Sequence, residues 1–205
     1  MITTILFDVD GVILEKIHPI IVEKLQKLSG KSPQEIIAIR KKYWEFAKVG
    51  KINDTNMCEH IFSELSIDPS HIPKFKSDIQ SSCSINQGIL QLVTKIKDLG
   101  YKTALLSNSS HELTAVPLKM TCVDKYFDSV FLSHNIGFAK PSREIFDHVT
   151  KALGVSMDAL LLIDDKEENV EAARRFGMKA ILFTDLEKLK NDETWLTIAN
   201  KELKL

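Results

Sequence analysis

Apolar positions in this chain follow two rhythms. Five runs are short and unbroken: Ile2–Phe7, Thr103–Leu106, Ser129–Leu132, Ala159–Ile163 and Ala180–Phe183. Unbroken runs of this length suit strands covered on both faces, whereas a strand with one wet face would alternate. Between the later runs lie segments with helical spacing, such as Arg143–Leu153, which is followed by Gly154 where a C-cap glycine belongs. Strand alternating with helix predicts a parallel sheet with helices on both sides.

The rhythm breaks after the first run. About ninety residues separate Phe7 from the next strand near Thr103, far more than one crossover helix needs. Much of that stretch reads as helix. Apolar residues at 21, 25 and 28 share a face after His18-Pro19; Ser32-Pro33-Gln34-Glu35 is a capping-box start; Asp54 is the expected N-cap of a third helix. Residues of about 15–82 are therefore expected to form a helical insert, ending near Ser81-Ser82-Cys83-Ser84. The α/β core then comprises 1–14 and 83–205, with its first helix over Asn86–Leu99 closed by Gly100. The tail Leu186–Leu205 reads as one terminal helix.

Composition narrows the function classes. Hydrophobic residues make up 44% and charged residues 27%, which suits a globular domain and not a disordered chain. With 27 basic against 28 acidic residues the net charge is -1, which argues against an electrostatically driven nucleic-acid or membrane-surface binder. No apolar run approaches the roughly 18 residues of a membrane span, and the first residues lack the pattern of a signal peptide. Cys58, Cys83 and Cys122 are odd in number and far apart, so reduced thiols and a cytoplasmic location are expected. A monomer or weak dimer is the expected assembly.

Open α/β sheets bind ligands beyond the carboxyl ends of their strands. Asp8-Val9-Asp10-Gly11 follows the first strand, Ser107-Asn108 the second, Lys140-Pro141 the third after a short loop, and Asp164-Asp165 the fourth, with Asn169 beyond. Clustered carboxylates repel unless a cation or proton sits among them. A hard divalent cation such as Mg²⁺ would answer that repulsion through oxygen ligands. Ser107 as a donor and Lys140 as a point charge could hold a phosphate. Taken singly, each feature has a plainer reading: a strand-to-loop turn for Asp8–Gly11, a solvated loop for Lys140, a helix cap for Asp165.

Taken in order, these residues resemble the four motifs of the haloacid dehalogenase-like hydrolase superfamily. Ile5-Leu-Phe-Asp-Val-Asp-Gly-Val-Ile looks like motif one, Ser107-Asn108 motif two, Lys140-Pro141 motif three, and Leu162-Ile-Asp-Asp-Lys-Glu-Glu-Asn-Val motif four. The helical insert sits where the family's α-helical cap enters. The resemblance implies a Rossmann-like α/β fold and a Mg²⁺-dependent phosphatase acting on a small phosphorylated metabolite. It implies Asp8 as the nucleophile that forms an aspartyl-phosphate and Asp10 as general acid and then base. Ser107, Asn108 and Lys140 become the phosphate-binding set. Asp8, Asp10, Asp165 and Asp164 become the metal set, and Asn169 orients that shell.

Other readings share the fold: a 2-haloacid dehalogenase, a phosphomutase, or a non-catalytic binding module. A dehalogenase needs no acid for its leaving halide, so Asp10 and the Asp164-Asp165 pair favour phosphate and metal. Glu15 departs modestly from the family pattern after motif one. In the insert, Arg40, Tyr43 and Trp44 are the candidates for substrate selection, against helix packing and a solvated basic face as plainer roles. The histidines show no metal-ligand spacing and read as surface or core residues.

Overall fold

The computed structural model describes residues 1–115, 117–118 and 121–199. Five strands, β1 (Thr4–Phe7), β2 (Lys102–Ser107), β3 (Ser129–Leu132), β4 (Leu160–Asp164) and β5 (Lys179–Leu182), form a parallel sheet in the order β3-β2-β1-β4-β5. Central β1 sets the register, with Phe7 opposite Leu105 on one side and Ile163 on the other. Side chains alternate between two cores. Ile5, Phe7, Leu105, Leu161 and Ile163 face one apolar cluster; Leu6, Ala104, Leu106, Leu160 and Leu162 face another. Because both faces are covered, neither alternation partner is polar, and the strands read as unbroken apolar runs.

Four helices fill the long interval after β1: α1 (His18–Ser29), α2 (Pro33–Ala47), α3 (Asp54–Glu64) and α4 (Ile72–Ser81). They gather an apolar cluster of their own that includes Leu25, Ile36, Ile61, Phe62 and Ile79. The Ser32–Glu35 capping box opens α2 as the sequence predicts. The start of α3 differs by one residue. Asn53 is the N-cap, in extended backbone with its side chain accepting from Asn56 N–H at 2.8 Å. Asp54 is already helical, and its buried carboxylate accepts instead from Glu112 N–H at 2.6 Å.

The remaining helices flank the sheet: α5 (Gln87–Asp98), α6 (Ser133–Ile136, a single turn), α7 (Arg143–Leu153), α8 (Glu167–Arg175), α9 (Leu186–Asn191) and α10 (Glu193–Ala199). The expected single terminal helix is two. Asp192 leaves the helical region at φ -68, ψ 133, and its carboxylate caps the next turn through Thr194 N–H at 2.8 Å and Trp195 N–H at 3.1 Å. That break turns Trp195 and Ile198 onto the sheet. Residues 200–205 of the expected tail lie outside the described residues. No described helix is long and apolar enough to cross a membrane.

Candidate active site

Asp8 is the first residue past β1, and its N–H still donates to Ile163 O at 2.9 Å as if the strand continued. The chain then turns sharply, with Ile13 and Leu14 N–H both returning to Val9 O at 3.0 and 2.8 Å. This turn keeps Asp8 and Asp10 at the carboxyl edge, and Asp10 Oδ1 accepts from Ile17 N–H at 2.8 Å. Gly11 makes the turn possible twice over. Its φ is +93°, and a Cβ there would lie 2.5 Å from Asp165 Oδ2.

Lys140 ties the strand ends together. Its fully buried ammonium donates to Asp8 Oδ1 at 2.8 Å, Asp164 Oδ2 at 2.5 Å and Leu106 O at 2.7 Å, using all three of its donors. Asn108 holds the backbone of Lys140 from both sides: its Nδ2 donates to Lys140 O at 2.7 Å and its Oδ1 accepts from Lys140 N–H at 2.8 Å. Asp164 in turn accepts from Asn169 Nδ2 at 2.9 Å and Lys166 N–H at 2.9 Å. The Asn108 carboxamide is thus occupied in positioning Lys140. The Ser107 hydroxyl is buried, contacts Asn108 O at 3.3 Å, and does not reach the cavity wall.

Asp8, Asp164 and Asp165 offer carboxylate oxygens within 4.8 Å of one another. Asp165 Oδ1 and Asn169 Oδ1 are buried without a hydrogen-bond donor. Acceptors left unanswered beside a carboxylate cluster suit a hard cation and its water shell. Asp165 Oδ2 meets Lys16 Nζ at 2.7 Å, and that lysine is 60% exposed. Asp164, its oxygens already engaged by Lys140, Asn169 and Lys166, is the poorer ligand of the pair.

The cavity over these residues has a volume of about 480 Å³. Asp8, Asp10, Asn108, Lys140, Asp165 and Asn169 line its floor; α1 and α2 supply the opposite wall, with His18, Ile37, Arg40, Lys41 and Trp44. Tyr43 is not on that wall. Ile37, Arg40, Lys41 and Trp44 share one arc of about 100° on the helix, and Tyr43 falls outside it. Its hydroxyl donates to Glu64, and its ring stacks on His60 at 4.9 Å. Sequence reasoning missed Lys16, His18 and Lys166. Lys16 and His18 carry no motif of their own and reach the cavity where the chain enters α1, whereas Lys166 follows Asp165 directly at the sheet edge.

The model for the haloacid dehalogenase-like hydrolase family matches residues 2–177. The chain belongs to that family. The GMP/IMP nucleotidase YrfG of Escherichia coli (strain K12) is 22% identical over 187 residues, spanning 88% of this chain and 82% of its own. The sesquiterpene phosphatase astK of Aspergillus oryzae is 26% identical over 151 residues, spanning 72% and 75%. Among solved structures, a HAD family enzyme of Bacteroides thetaiotaomicron, bt-2542, in complex with magnesium and inorganic phosphate, superposes with a TM-score of 0.75 at 22% identity, over 92% of this chain and 99% of that one.

Charge in this haloacid dehalogenase-like hydrolase site is set by burial. Burial pushes Asp8 up to about 7, against Lys140, which pulls it down, while Asp164 adds to the rise. Asp164 itself is held below the ordinary carboxylate range, because the Lys140 ammonium and its hydrogen bonds outweigh burial. Asp10 is raised by burial, only partly offset by the Ile17 N–H and the charge of Lys166. Burial thus raises both Asp8 and Asp10, while their contacts differ: Asp8 faces the Lys140 ammonium and Asp10 the Ile17 N–H.

Proposed function

We propose that this hydrolase is a Mg²⁺-dependent phosphatase that cleaves a small phosphomonoester through an aspartyl-phosphate. In this reading residues 15–82 act as a helical cap over a core of 1–14 and 83–205. The observation that carries it is geometric: Asp8, oriented by Lys140 at 2.8 Å, and Asp10, held by the Ile17 N–H at 2.8 Å, line one cavity together with Asp165. Asp8 attacks phosphorus, and the bond to the leaving oxygen breaks as Asp10 delivers a proton to it. Asp10 then takes a proton from water, and the water oxygen displaces Asp8 from phosphorus. Lys140 orients Asp8 and lowers its repulsion toward an anionic substrate. Asp8 and Asp165 would hold Mg²⁺, with Asp164 and Asn169 behind them. When bound, Mg²⁺ supplies positive charge for the converging carboxylates and phosphoryl oxygens. Asn108 acts by positioning Lys140, and Ser107 contributes from beneath.

A halide leaves without a proton, so a dehalogenase has no use for Asp10. The experiment is phosphate release over a panel of sugar phosphates, nucleotides and terpenyl phosphates, with Mg²⁺ and with EDTA, beside halide release from 2-haloacids. Nucleotide and terpenyl esters enter the panel because two relatives act on such compounds. Phosphate release that requires Mg²⁺ supports the reading; halide release alone overturns it.

A further inference from the structure

We propose that the ester cleaved here carries a second anionic oxygen group, a carboxylate or another phosphate, on its leaving group, and that Arg40 pairs with that group. The inference rests on the phosphatase reading and names its substrate class.

Among the described residues five cations line the cavity: Lys16, Arg40, Lys41, Lys140 and Lys166. Lys140 is committed to Asp8 and Asp164, and Lys16 to Asp165. Lys166 lies beside Asp10 and offsets its charge. Among the described residues Arg40 has no hydrogen bond and no ion pair. Nor is it a solvated surface arginine. It is only partly exposed, and besides the main cavity it lines a smaller hollow walled by Ile21, Leu25, Met57, Ile61 and Phe75. Its stem therefore runs through the apolar interior of the helical layer, which restricts where its head can go. A guanidinium drawn from water with nothing to answer it is costly, and five donors in a planar fork suit one kind of answer, a bidentate oxyanion.

Position on the wall says which part of the substrate that oxyanion belongs to. Lys140 comes up from the sheet edge beneath Asp8, on the phosphoryl side. Arg40 descends from α2 opposite, and its nearest acidic neighbour in charge is Asp10, the residue that faces the leaving oxygen. No hydrogen bond or ion pair joins the two among the described residues; Asp10 Oδ1 accepts from Ile17 N–H instead. Burial pulls the guanidinium down to about 10, with Asp10 pulling the other way, so it stays charged at neutral pH. Trp44 lies one turn further along the same helix, and Trp44, Ile37 and Met57 give the cavity apolar lining beside Arg40. A leaving group with an apolar or planar body and an anionic end suits that combination.

Matched aryl esters test it: 4-carboxyphenyl phosphate and 1,4-phenylene bisphosphate against 4-(hydroxymethyl)phenyl phosphate, all assayed with Mg²⁺. Wild type should favour the two anionic esters in kcat/KM. R40M, which keeps the apolar stem, should lower kcat/KM for them roughly ten- to hundredfold, the worth of a charged hydrogen bond, and lower the neutral ester far less. R40K should recover part of the difference. The larger loss, on carboxylate or on phosphate, names the group. An equal loss on all three esters would mean that Arg40 serves the shared phosphoryl group or the packing of α2, and overturns the proposal. So does a wild type without preference. Calorimetric binding of the corresponding methylenephosphonates to wild type and R40M decides the matter independently of turnover. A preference for the anionic analogue lost in R40M supports it even if no ester is cleaved, a result that would count against the phosphatase reading alone; equal binding overturns it.

Discussion

At the carboxyl edge of the sheet, Lys140 holds Asp8 and Asp164, Asn169 holds Asp164, and Asn108 holds the backbone of Lys140. Across the cavity, α2 sends Arg40 and Lys41 toward the same space with no hydrogen bond or ion pair to any described residue. The outer face of that helix is different again, with Lys42 and Tyr43 both bound to Glu64. The unpaired Arg40 and Lys41 thus both look into the cavity. An interlocked edge has its dipoles fixed before anything binds, which is the condition for stabilising charge that develops during a reaction. An open-handed wall has capacity left for the substrate. On the phosphatase reading proposed above, chemistry and selection would be lodged in different elements.

The edge should break first and hardest. D8N is nearly isosteric and leaves Lys140 its second carboxylate, so the fold should persist by circular dichroism. Phosphatase kcat should fall on the order of 10⁴-fold or more, as for other covalent nucleophiles. Turnover near wild type would remove Asp8 from the reaction. Next in size is a stability effect. D164A strips the buried ammonium of its shortest contact and leaves Asn169 and Lys166 N–H without their acceptor. Breaking a buried pair from one side costs about 3–5 kcal/mol, readable as a shift in urea midpoint at constant slope. A loss comparable to a surface substitution would show that the edge is not interlocked.

Which of these features could be read from the chain follows from how local each one is. The strands and their order of function were legible because burial on both faces leaves an unbroken apolar run, and each run is followed directly by its polar residues. Asp8, Asp164 and Asp165 are legible for the same reason; Lys140, a loop and a helical turn beyond β3, is legible only from its place in the order of motifs. What Asn108 does was not, since its carboxamide is spent on a backbone 32 residues away. Tyr43 stands beside Arg40 and Trp44 in sequence but not in space, because helical geometry turns it to another face. The position of the α3 cap depended on a single backbone angle, and Asp54 was drawn off by Glu112, a partner no periodicity announces. Lys16 and His18 carry no motif of their own and reach the cavity where the chain enters α1.

Proton competition gives a smaller effect than either variant. In the metal-free protein burial raises Asp8 from 3.8 to about 7. A raised carboxylate contributes stability that is fully present below 3.8 and is lost as pH rises through about 7. A cation needs the ionised form. Apparent Mg²⁺ affinity should therefore be flat above about 7 and fall by about tenfold per pH unit below it, with release of close to one proton per ion bound. Calorimetry in buffers of differing ionisation enthalpy counts that proton. Affinity independent of pH between 5 and 7 would mean that Asp8 is already ionised and that Lys140 dominates over burial.

The mildest test concerns an ion pair of the edge that reaches solvent. Lys16 Nζ lies 2.7 Å from Asp165 Oδ2, but the lysine side chain is 60% exposed, unlike the sealed pair that Lys140 makes. Any cation that Asp165 takes up must share or displace this contact, so Lys16 acts as an internal competitor. Solvent screens exposed pairs to a fraction of a kcal/mol in most measured cases, which sets the scale. K16M should tighten Mg²⁺ binding by about two- to fivefold at low ionic strength, and the gap between variant and wild type should narrow as salt is added. Lys140 offers no such relief, because it and its partners Asp8 and Asp164 are buried and shielded from salt. If K16M instead weakens Mg²⁺ binding, the lysine is orienting Asp165 for the ion and belongs with the interlocked part of the edge, and the line between fixed and exchangeable charge has to be drawn one residue further out.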